Sequence, residues 1–231
     1  MVRYFVIGLA LALTAWTQDL ESARDRQDRG ALDHAVAELS AKAGKQPNDA
    51  EAQYKLALAE SYIAEVATEI HDKNQAKSAA ENGMKAAERA VSLKPDSAEY
   101  HRILGTLCGQ YIPAAGVLAG MKYGRCATDE VNKAIQLDPN SARAYVSRGV
   151  GNYYLPSAFG GGVDLAIKDF EKAIELNPKS SEAYLWLGIA QRKLNRNAEA
   201  RKAFQKSLEL DPHRVWTQQQ LEKTPSASTE K

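Results

Sequence analysis

Five prolines divide the chain into units that become shorter toward the C-terminus. They are Pro47, Pro95, Pro139, Pro178 and Pro212. Their successive spacings are 48, 44, 39 and 34 residues. A repeat of about 20 to 50 residues is typical of a solenoid, in which neighbouring units stack and bury a shared apolar core. The chain is therefore predicted to be a linear array of similar units.

The last unit shows how each repeat is built. Tyr184 and Gly188 lie on a first helix, and Ala200 and Phe204 lie on a second. Because Gly188 and Ala200 are small, two antiparallel helices can approach closely, and Phe204 then fills the seam between them. Pro212 cannot continue a helix, so it ends the unit.

These residue types at this spacing resemble the tetratricopeptide repeat (TPR) superfamily, from about residue 30 to residue 212. The third unit carries the same pattern through Tyr145, Gly149 and Phe170. The resemblance implies an all-α fold, a right-handed α-solenoid of antiparallel helix pairs. First helices are expected near residues 49–71, 97–111, 141–154 and 180–194. Second helices are expected near residues 74–93, 122–137, 163–176 and 197–210.

The register of the repeat also predicts the domain organisation. We expect a signal peptide over residues 1–17, a TPR domain over residues 18–223 and a disordered tail over residues 224–231. The units inside the domain are a degenerate one at 18–47, repeats at 48–95, 96–139, 140–178 and 179–212, and a capping helix at 213–223. Helix caps are expected at Asn48, at Asp96, at Asn140 or Ser141, and at Ser180 or Ser181.

The N-terminal stretch has the pattern of an export signal. A positive start at Arg3 precedes an apolar run from Tyr4 to Ala15. That run is shorter than the roughly 20 apolar residues that a spanning helix needs. Ala15 and Thr17 are small residues that suit cleavage before Gln18, with cleavage after Ala15 as the competing site. The predicted location is the periplasm, with no stable membrane span after cleavage; the alternative is an uncleaved N-terminal anchor.

The first three units exceed 34 residues by 14, 10 and 5 residues, and we expect the extra residues between the paired helices. In the first unit they are helix-forming and should lengthen both helices. In the next two they begin Tyr-Ile-Pro113 and Tyr-Leu-Pro156, so one shared device is expected, with proline stopping the first helix. Gly160 and Gly161 permit a tight return of the chain. The side chains expected to tuck back as anchors are Val117, Leu118 and Phe159.

The element from Pro156 to Gly161, with Phe159 before the glycines, resembles a subset of exported bacterial TPR proteins. These include the T component of some tripartite (TRAP-type) solute-uptake systems, which partners a solute-binding protein. The resemblance implies a binding role for these rim loops, whereas the alternative is that they only fold over the ends of the helix pairs. The lipoprotein cysteine that many such proteins carry is missing after the apolar run.

Stacked helix pairs form a curved surface, and the repeat register places the first helices on its concave face. Tyrosines and cations are expected along this groove, and both residue types are favoured in binding hot spots. The predicted partner-binding residues are Tyr54, Tyr62, Arg102, Arg143, Tyr153, Tyr154, Arg192 and Lys193. They suit a peptide segment or a small acidic solute; the alternative is an ordinary solvated face.

Two further features concern charge and sulfur. The run from Asp19 to Arg29 alternates in sign, which predicts a solvated helix. Cys108 and Cys126 fit no zinc or redox motif, so they are either a disulfide, which an oxidising compartment permits, or two buried thiols. The formal net charge of +1 gives no basic excess for nucleic acid.

No catalytic or metal-binding motif occurs, and the four histidines show no partner pattern. The chain is therefore predicted to be no enzyme and to need no cofactor. The predicted function is an adaptor of the bacterial cell envelope that binds another protein or a peptide in its groove. The alternative is a small-ligand carrier whose rim loops close a pocket near Tyr153, Phe159 and Gly161.

Overall fold

The structure, a computed structural model, describes Trp16 and residues 18–226. The predicted signal peptide lies outside the described residues apart from Trp16, and so do residues 227–231 of the predicted tail. Within the described part the chain forms eleven α-helices and no strand, which confirms the all-α solenoid. The helices are α1, described at Trp16 and at residues 18–25, α2 at Arg29–Lys45, α3 at Ala50–Glu69, α4 at Lys73–Leu93, α5 at Ala98–Ala115, α6 at Val117–Leu137, α7 at Ala142–Tyr154, α8 at Val163–Leu176, α9 at Ser181–Lys193, α10 at Asn197–Leu210 and α11 at Val215–Glu222.

The helix starts follow the proline-punctuated phrases, but two expected caps were wrong by one residue. Asp49, not Asn48, caps α3, because its carboxylate accepts from the backbone N–H groups of Glu51 and Ala52 at 3.0 and 3.2 Å. Ser97, not Asp96, is the N-cap of α5. Of the open pairs, Ser141 caps α7 and Ser180 caps α9, each accepting from a backbone N–H of the first turn. A side-chain acceptor at this position satisfies a donor that the helix leaves unpaired.

Consecutive helices pack as antiparallel pairs, and the first helix of each pair also contacts the first helix of the next. The apolar core forms two clusters. One joins α1 through α5, with Leu32, Leu58 and Leu107 at its centre. The other joins α7 through α11 around Phe170 and Phe204, both fully buried.

The third and fourth pairs close on a phenylalanine laid against a glycine. A Cβ atom added at Gly188 would lie 2.6 Å from the Phe204 ring, and one added at Gly149 would lie 2.4 Å from the Phe170 ring. Neither position therefore admits a larger side chain without displacing the aromatic ring. The second pair uses the same device with a smaller partner, since a Cβ at Gly105 would lie 2.7 Å from Val131.

The first pair is longer, as its extra residues predict, with 20 residues in α3 and 21 in α4. Alanine dominates its seam, and Ala57, Ala64, Ala80 and Ala87 are all fully buried. Small side chains along both helices let the backbones approach over the whole length of the pair.

The expectation that Pro113 stops the helix was wrong. Helix α5 continues through Pro113, and the break comes at Gly116, whose φ of 89° suits glycine. A proline in the last turn removes one hydrogen bond, to Gly109, and the residues just before it are packed on α6, with Tyr111 and Tyr123 ring centroids 4.8 Å apart. The ten-residue insertion therefore lengthens both helices of its pair.

Pro156 does end its helix, so the two insertions do not share one device. After α7 the chain makes a short 3₁₀ turn, Ser157–Phe159, and returns through Gly160 at φ 87°. Gly161 lies so close to Leu155 that an added Cβ would be 2.3 Å from its carbonyl oxygen. The turn is thus closed by backbone contacts.

The expected anchoring by Leu118 and Phe159 was also wrong. Their exposed fractions are 80% and 77%, so both side chains face solvent. Backbone contacts alone close the Phe159 loop, and the start of α6 is already held by helix packing. Neither side chain is needed as an anchor.

The C-terminal end is more ordered than expected. Helix α11 packs Trp216 and Leu221 on the last pair. Thr224, expected in the disordered tail, is buried, and its carbonyl accepts from Arg201 Nη1 at 2.7 Å. A guanidinium that satisfies the last carbonyls of α11 and the turn after it accounts for this order.

Candidate binding groove

The concave face is formed by α3, α5, α7 and α9, which contact one another in that order. Hydroxyl and amide groups link neighbours across this face. The Ser61 hydroxyl donates to Gln110 Oε1 at 3.1 Å, and the hydroxyls of Thr106 and Ser147 are 3.0 Å apart. The first helices therefore form one continuous surface.

Tyr54 and Arg102 lie on this surface, but each is already engaged by Glu99. The Tyr54 hydroxyl donates to Glu99 Oε1 at 3.0 Å, and Arg102 donates to both carboxylate oxygens at 2.8 and 2.6 Å. Burial by itself would raise the pKa of Glu99, but Arg102 and these hydrogen bonds lower it below its usual value. This part of the groove is a satisfied polar cluster rather than an open site.

Helix α1 occupies the centre of the groove, which corrects the expectation of a solvated helix. Leu20 is 3% exposed and belongs to the N-terminal core cluster. Glu21 accepts from the Tyr62 hydroxyl at 3.4 Å and pairs with the Arg143 guanidinium. The guanidinium of Arg24 lies over the Tyr62 ring, 5.0 Å from its centroid. Alternating charge cannot distinguish a solvated helix from one whose charges meet partners on a folded surface, so the sequence pattern misled here.

Two arginines and four carboxylates form an ionic network at the buried side of α1. Arg214, which immediately precedes α11, donates to Glu69 and Glu65 on α3, each at 2.6 Å. Its side chain is 1% exposed. Arg24 approaches Glu65 and Glu182 at 3.9 Å, and Arg214 also lies 3.4 Å from Asp25. The network therefore joins α1, α3 and α9 to the C-terminal end of the solenoid.

The network contains more carboxylates than guanidinium groups, and the pKa values of two of its carboxylates are raised. Burial raises the pKa of Asp25 to about 6, against the opposing effect of Arg24 and Arg214. Burial also raises the pKa of Glu65 to about 8, and the nearby carboxylate of Glu182 adds to the shift. Burial alone would lower the pKa of Arg214, but its carboxylate neighbours raise it, so the guanidinium stays charged.

The remaining predicted groove residues form a separate aromatic cluster at the C-terminal end of α7. The Tyr153 and Tyr154 rings are 5.0 Å apart, and both lie near the Trp186 ring, at 6.0 and 6.3 Å. Lys193 Nζ lies 4.3 Å from the centroid of Tyr153. Trp186 is the functional candidate that the sequence reasoning missed, although its place two residues after Tyr184 in the first helix could have indicated it.

Arg192 does not line an open groove. Its guanidinium donates to the carbonyl and the side chain of Gln220 on α11, the carbonyl at 3.1 Å. The residue therefore holds the capping helix. The Phe159 side chain is exposed and does not cover Tyr153 or Gly161. The small-ligand alternative stays a prediction.

The structure joins Cys108 and Cys126 in a disulfide between α5 and α6. His101, which belongs to no catalytic or metal-binding pattern in the sequence, is buried with its ring nitrogens against Glu130 and, at 2.8 Å, the carbonyl of Pro95. This contact ties the start of α5 to α6.

Among the described residues no cluster of His, Cys, Asp or Glu could hold a metal ion. None of the helices in that part of the chain combines the length and apolarity needed to cross a membrane.

Comparison with known proteins assigns the fold and the family. A family model described as regulator of microtubule dynamics protein 1-3 matches residues 18–157, more than half of the chain. The chain belongs to this family. A TPR model matches residues 159–214 and confirms the predicted superfamily. The regulator of microtubule dynamics family match begins with α1, so the helix in the groove is part of the family region.

The individual relatives are more distant. Regulator of microtubule dynamics protein 3 of Xenopus laevis is 34% identical over 88 residues, which are 38% of this chain and only 19% of that protein. The solved structure of the TPR protein TTC0263 of Thermus thermophilus is 21% identical, covers 89% of this chain and 98% of its own, and has a TM-score of 0.61. The HusA haemophore of Porphyromonas gingivalis is 18% identical, with coverages of 74% and 92% and a TM-score of 0.58. Both structures support the fold, and the predicted likeness to T components stays a prediction.

Proposed function

We propose that this regulator of microtubule dynamics family chain is a non-enzymatic protein-interaction module that holds a segment of a partner protein on its concave face. The observation that carries the proposal is the occupied groove. Its first helices already bind a stretch of polypeptide, α1, through an apolar contact at Leu20, a hydrogen bond and ion pair at Glu21, and a cation–π contact at Arg24. A surface that accommodates a helical segment of its own chain has the contacts needed for one from another protein.

A site-specific crosslinking experiment tests this function. A photo-crosslinking amino acid is placed at Arg143, which is partly exposed beside the groove, and at Lys168 on α8 as a control on the opposite helix of the pair. Irradiation in the native host should give a partner adduct from position 143 and none from position 168. Adducts of equal yield from both positions, or from neither, would contradict binding on the concave face.

We also propose that the module acts in the cell envelope after export. The apolar run at the N-terminus and the Cys108–Cys126 disulfide support this location, because structural disulfides form in oxidising compartments. An alkaline phosphatase fusion at the C-terminus should be active, since that enzyme requires export to fold. The intact mass of the purified chain then separates cleavage before Gln18 from an uncleaved anchor, and an inactive fusion would refute the location.

A further inference from the structure

Helix α1 is held in place by side-chain contacts with the groove. It is described at Trp16 and residues 18–25, and Leu20 and Asp25 on it are buried. Its position therefore depends on the groove that holds it. Such a groove selects segments by the side chains that one face of a helix presents.

The groove offers three complementary positions to that face. Leu20 enters the apolar core of the N-terminal half. Glu21 and Arg24 lie within one helical turn of each other. Glu21 contacts Tyr62 and Arg143, and Arg24 lies between Glu65 and Glu182. Helix α1 thus presents to the groove an apolar residue, then glutamate, then arginine three residues later.

One part of this fit is incomplete. Glu182 Oε2 and Arg214 Nε are buried, lie 3.6 Å apart, and find no hydrogen-bond partner within the described part of the chain. Asp25 lies next to them but supplies only acceptors when ionised, so it cannot satisfy Glu182. An amide side chain at this position could donate to Glu182 and accept from Arg214. Leaving a buried polar group unpaired is unfavourable, so an occupant that satisfies both atoms should bind the groove more tightly than α1 does.

The connection to the rest of the chain allows α1 to leave. Only residues 26–28 separate it from α2, and Gln27 adopts a φ of 54° there. Asp28 caps α2 independently of α1, by accepting from Ala31 N–H. The N-cap of α2 is therefore independent of α1, and undocking costs the contacts of Leu20 with the core and of Gln27 with Glu69.

We propose, on the basis of the function proposed above, that α1 is an internal competitor for the groove. The partner is a helical segment with an apolar residue, a glutamate and an arginine spaced as in Leu20, Glu21 and Arg24, followed by asparagine or glutamine in place of Asp25. Binding of the partner displaces α1. While α1 is docked, the groove is therefore unavailable to segments that fit it less well than the partner does.

The test uses the full chain and a fluorescent peptide with the sequence of residues 16–27. The Arg24→Glu chain, in which the competitor is weakened, should bind the peptide at least about tenfold more tightly than the wild-type chain, because apparent affinity scales with the fraction of open protein. Arg26→Glu is the matched control, since it makes the same charge change on an exposed side chain and should bind like wild type. A peptide carrying Asp25→Asn should bind more tightly than the unchanged peptide, and one carrying Arg24→Glu should not bind.

Hydrogen exchange on the wild-type chain provides a measurement that needs no variant. Excess peptide should speed exchange of the α1 amides and leave α5 and α7 protected. Equal peptide affinity for wild-type and Arg24→Glu chains, or binding without faster α1 exchange, would overturn the competition. If position 143 still crosslinks a partner in that case, the proposed function stands and only the inference about α1 fails. If the peptide displaces α1 but no partner is crosslinked, the inference about α1 stands and the proposed function fails.

Discussion

The two halves of the solenoid achieve the same architecture with different side chains. In the C-terminal half, from α7 to α11, each pair is short and a buried phenylalanine covers a glycine. In the N-terminal half the first pair packs on alanine over helices of 20 and 21 residues, and the second is linked by a disulfide. Both halves contribute to the groove that receives α1, since Glu21 pairs with Arg143 on α7 and Arg24 approaches Glu182 on α9. The comparison shows that the two helices of a repeat can pack through different side chains as long as the small residues keep their positions. The groove, in contrast, depends on contacts between the two halves.

The strongest test of the contact between the halves is Arg214→Ala. Removing this buried guanidinium takes away the nearest cation of both Glu65 and Glu69 and leaves Arg24 3.9 Å from Glu65; breaking a buried ion pair in this way costs about 3–5 kcal/mol of unfolding free energy. Urea denaturation followed by circular dichroism measures the loss. Arg196→Ala, at an exposed arginine, is the charge-matched control and should change stability by less than about 0.5 kcal/mol. Similar small losses in both variants would mean that the halves are not joined through Arg214.

The disulfide tests the N-terminal half by itself. Cys108 and Cys126 are 18 residues apart, and a cross-link that closes a loop of this size stabilises by about 3 kcal/mol in the chain-entropy model. Reduction of the wild-type protein should lower the urea midpoint by a corresponding amount. A Cys108→Ala/Cys126→Ala chain, treated with the same reductant, serves as the control and should not respond. An unchanged midpoint in the reduced wild type would show that helix packing alone holds α5 to α6.

The glycine seams test the C-terminal half. Gly188→Leu forces a side chain into the Phe204 ring, and Ala200→Leu overfills the facing helix, so each should cost about 1–3 kcal/mol or more. Gly151→Leu is the control on α7, because a Cβ there meets no atom within 4 Å. Ala198→Leu, at an exposed position of α10, should likewise have little effect. Equal losses of unfolding free energy at Gly188 and Gly151 would contradict the close packing of Phe204 against Gly188.

The smallest expected effect is the pH dependence of the ionic network. The pKa values of Asp25 and Glu65 are raised in the folded state, to about 6 and about 8, so folding favours their protonated forms. Their contribution to stability is therefore complete below the ordinary values near 4 and is lost as the pH rises through 6 and then 8. The urea midpoint of the wild type should fall as the pH rises from about 4 to about 8.

Glu65→Gln, which cannot ionise, should flatten that decline. Burial also raises the pKa of Glu60 on α3 to about 7, so Glu60 contributes in the same direction. Glu60→Gln measures its share separately. If neither variant reduces the fall of the urea midpoint with pH, the titrating group lies elsewhere.

The sequence predicted the helix pairs well because their determinants are local. Gly188, Phe204 and Pro212 lie within one unit, and their spacing is enough to place two helices and the seam between them. The interpretation of Pro113 failed because the sequence shows a helix breaker but not that it falls in the last turn of α5, where it removes only one hydrogen bond. The run from Asp19 to Arg29 predicted a helix but not its surroundings, since the same charges suit water or an ionic network.

The sequence alone determined that this chain is a solenoid of helix pairs, where most pairs begin and end, and that its groove carries tyrosine and arginine. Only the tertiary structure decided that α1 fills this groove and that Arg214 meets Glu69, 145 residues earlier. The physical reason is that the curvature of a solenoid is the sum of small rotations at each repeat, and this sum brings distant residues together without leaving a periodic trace in the sequence.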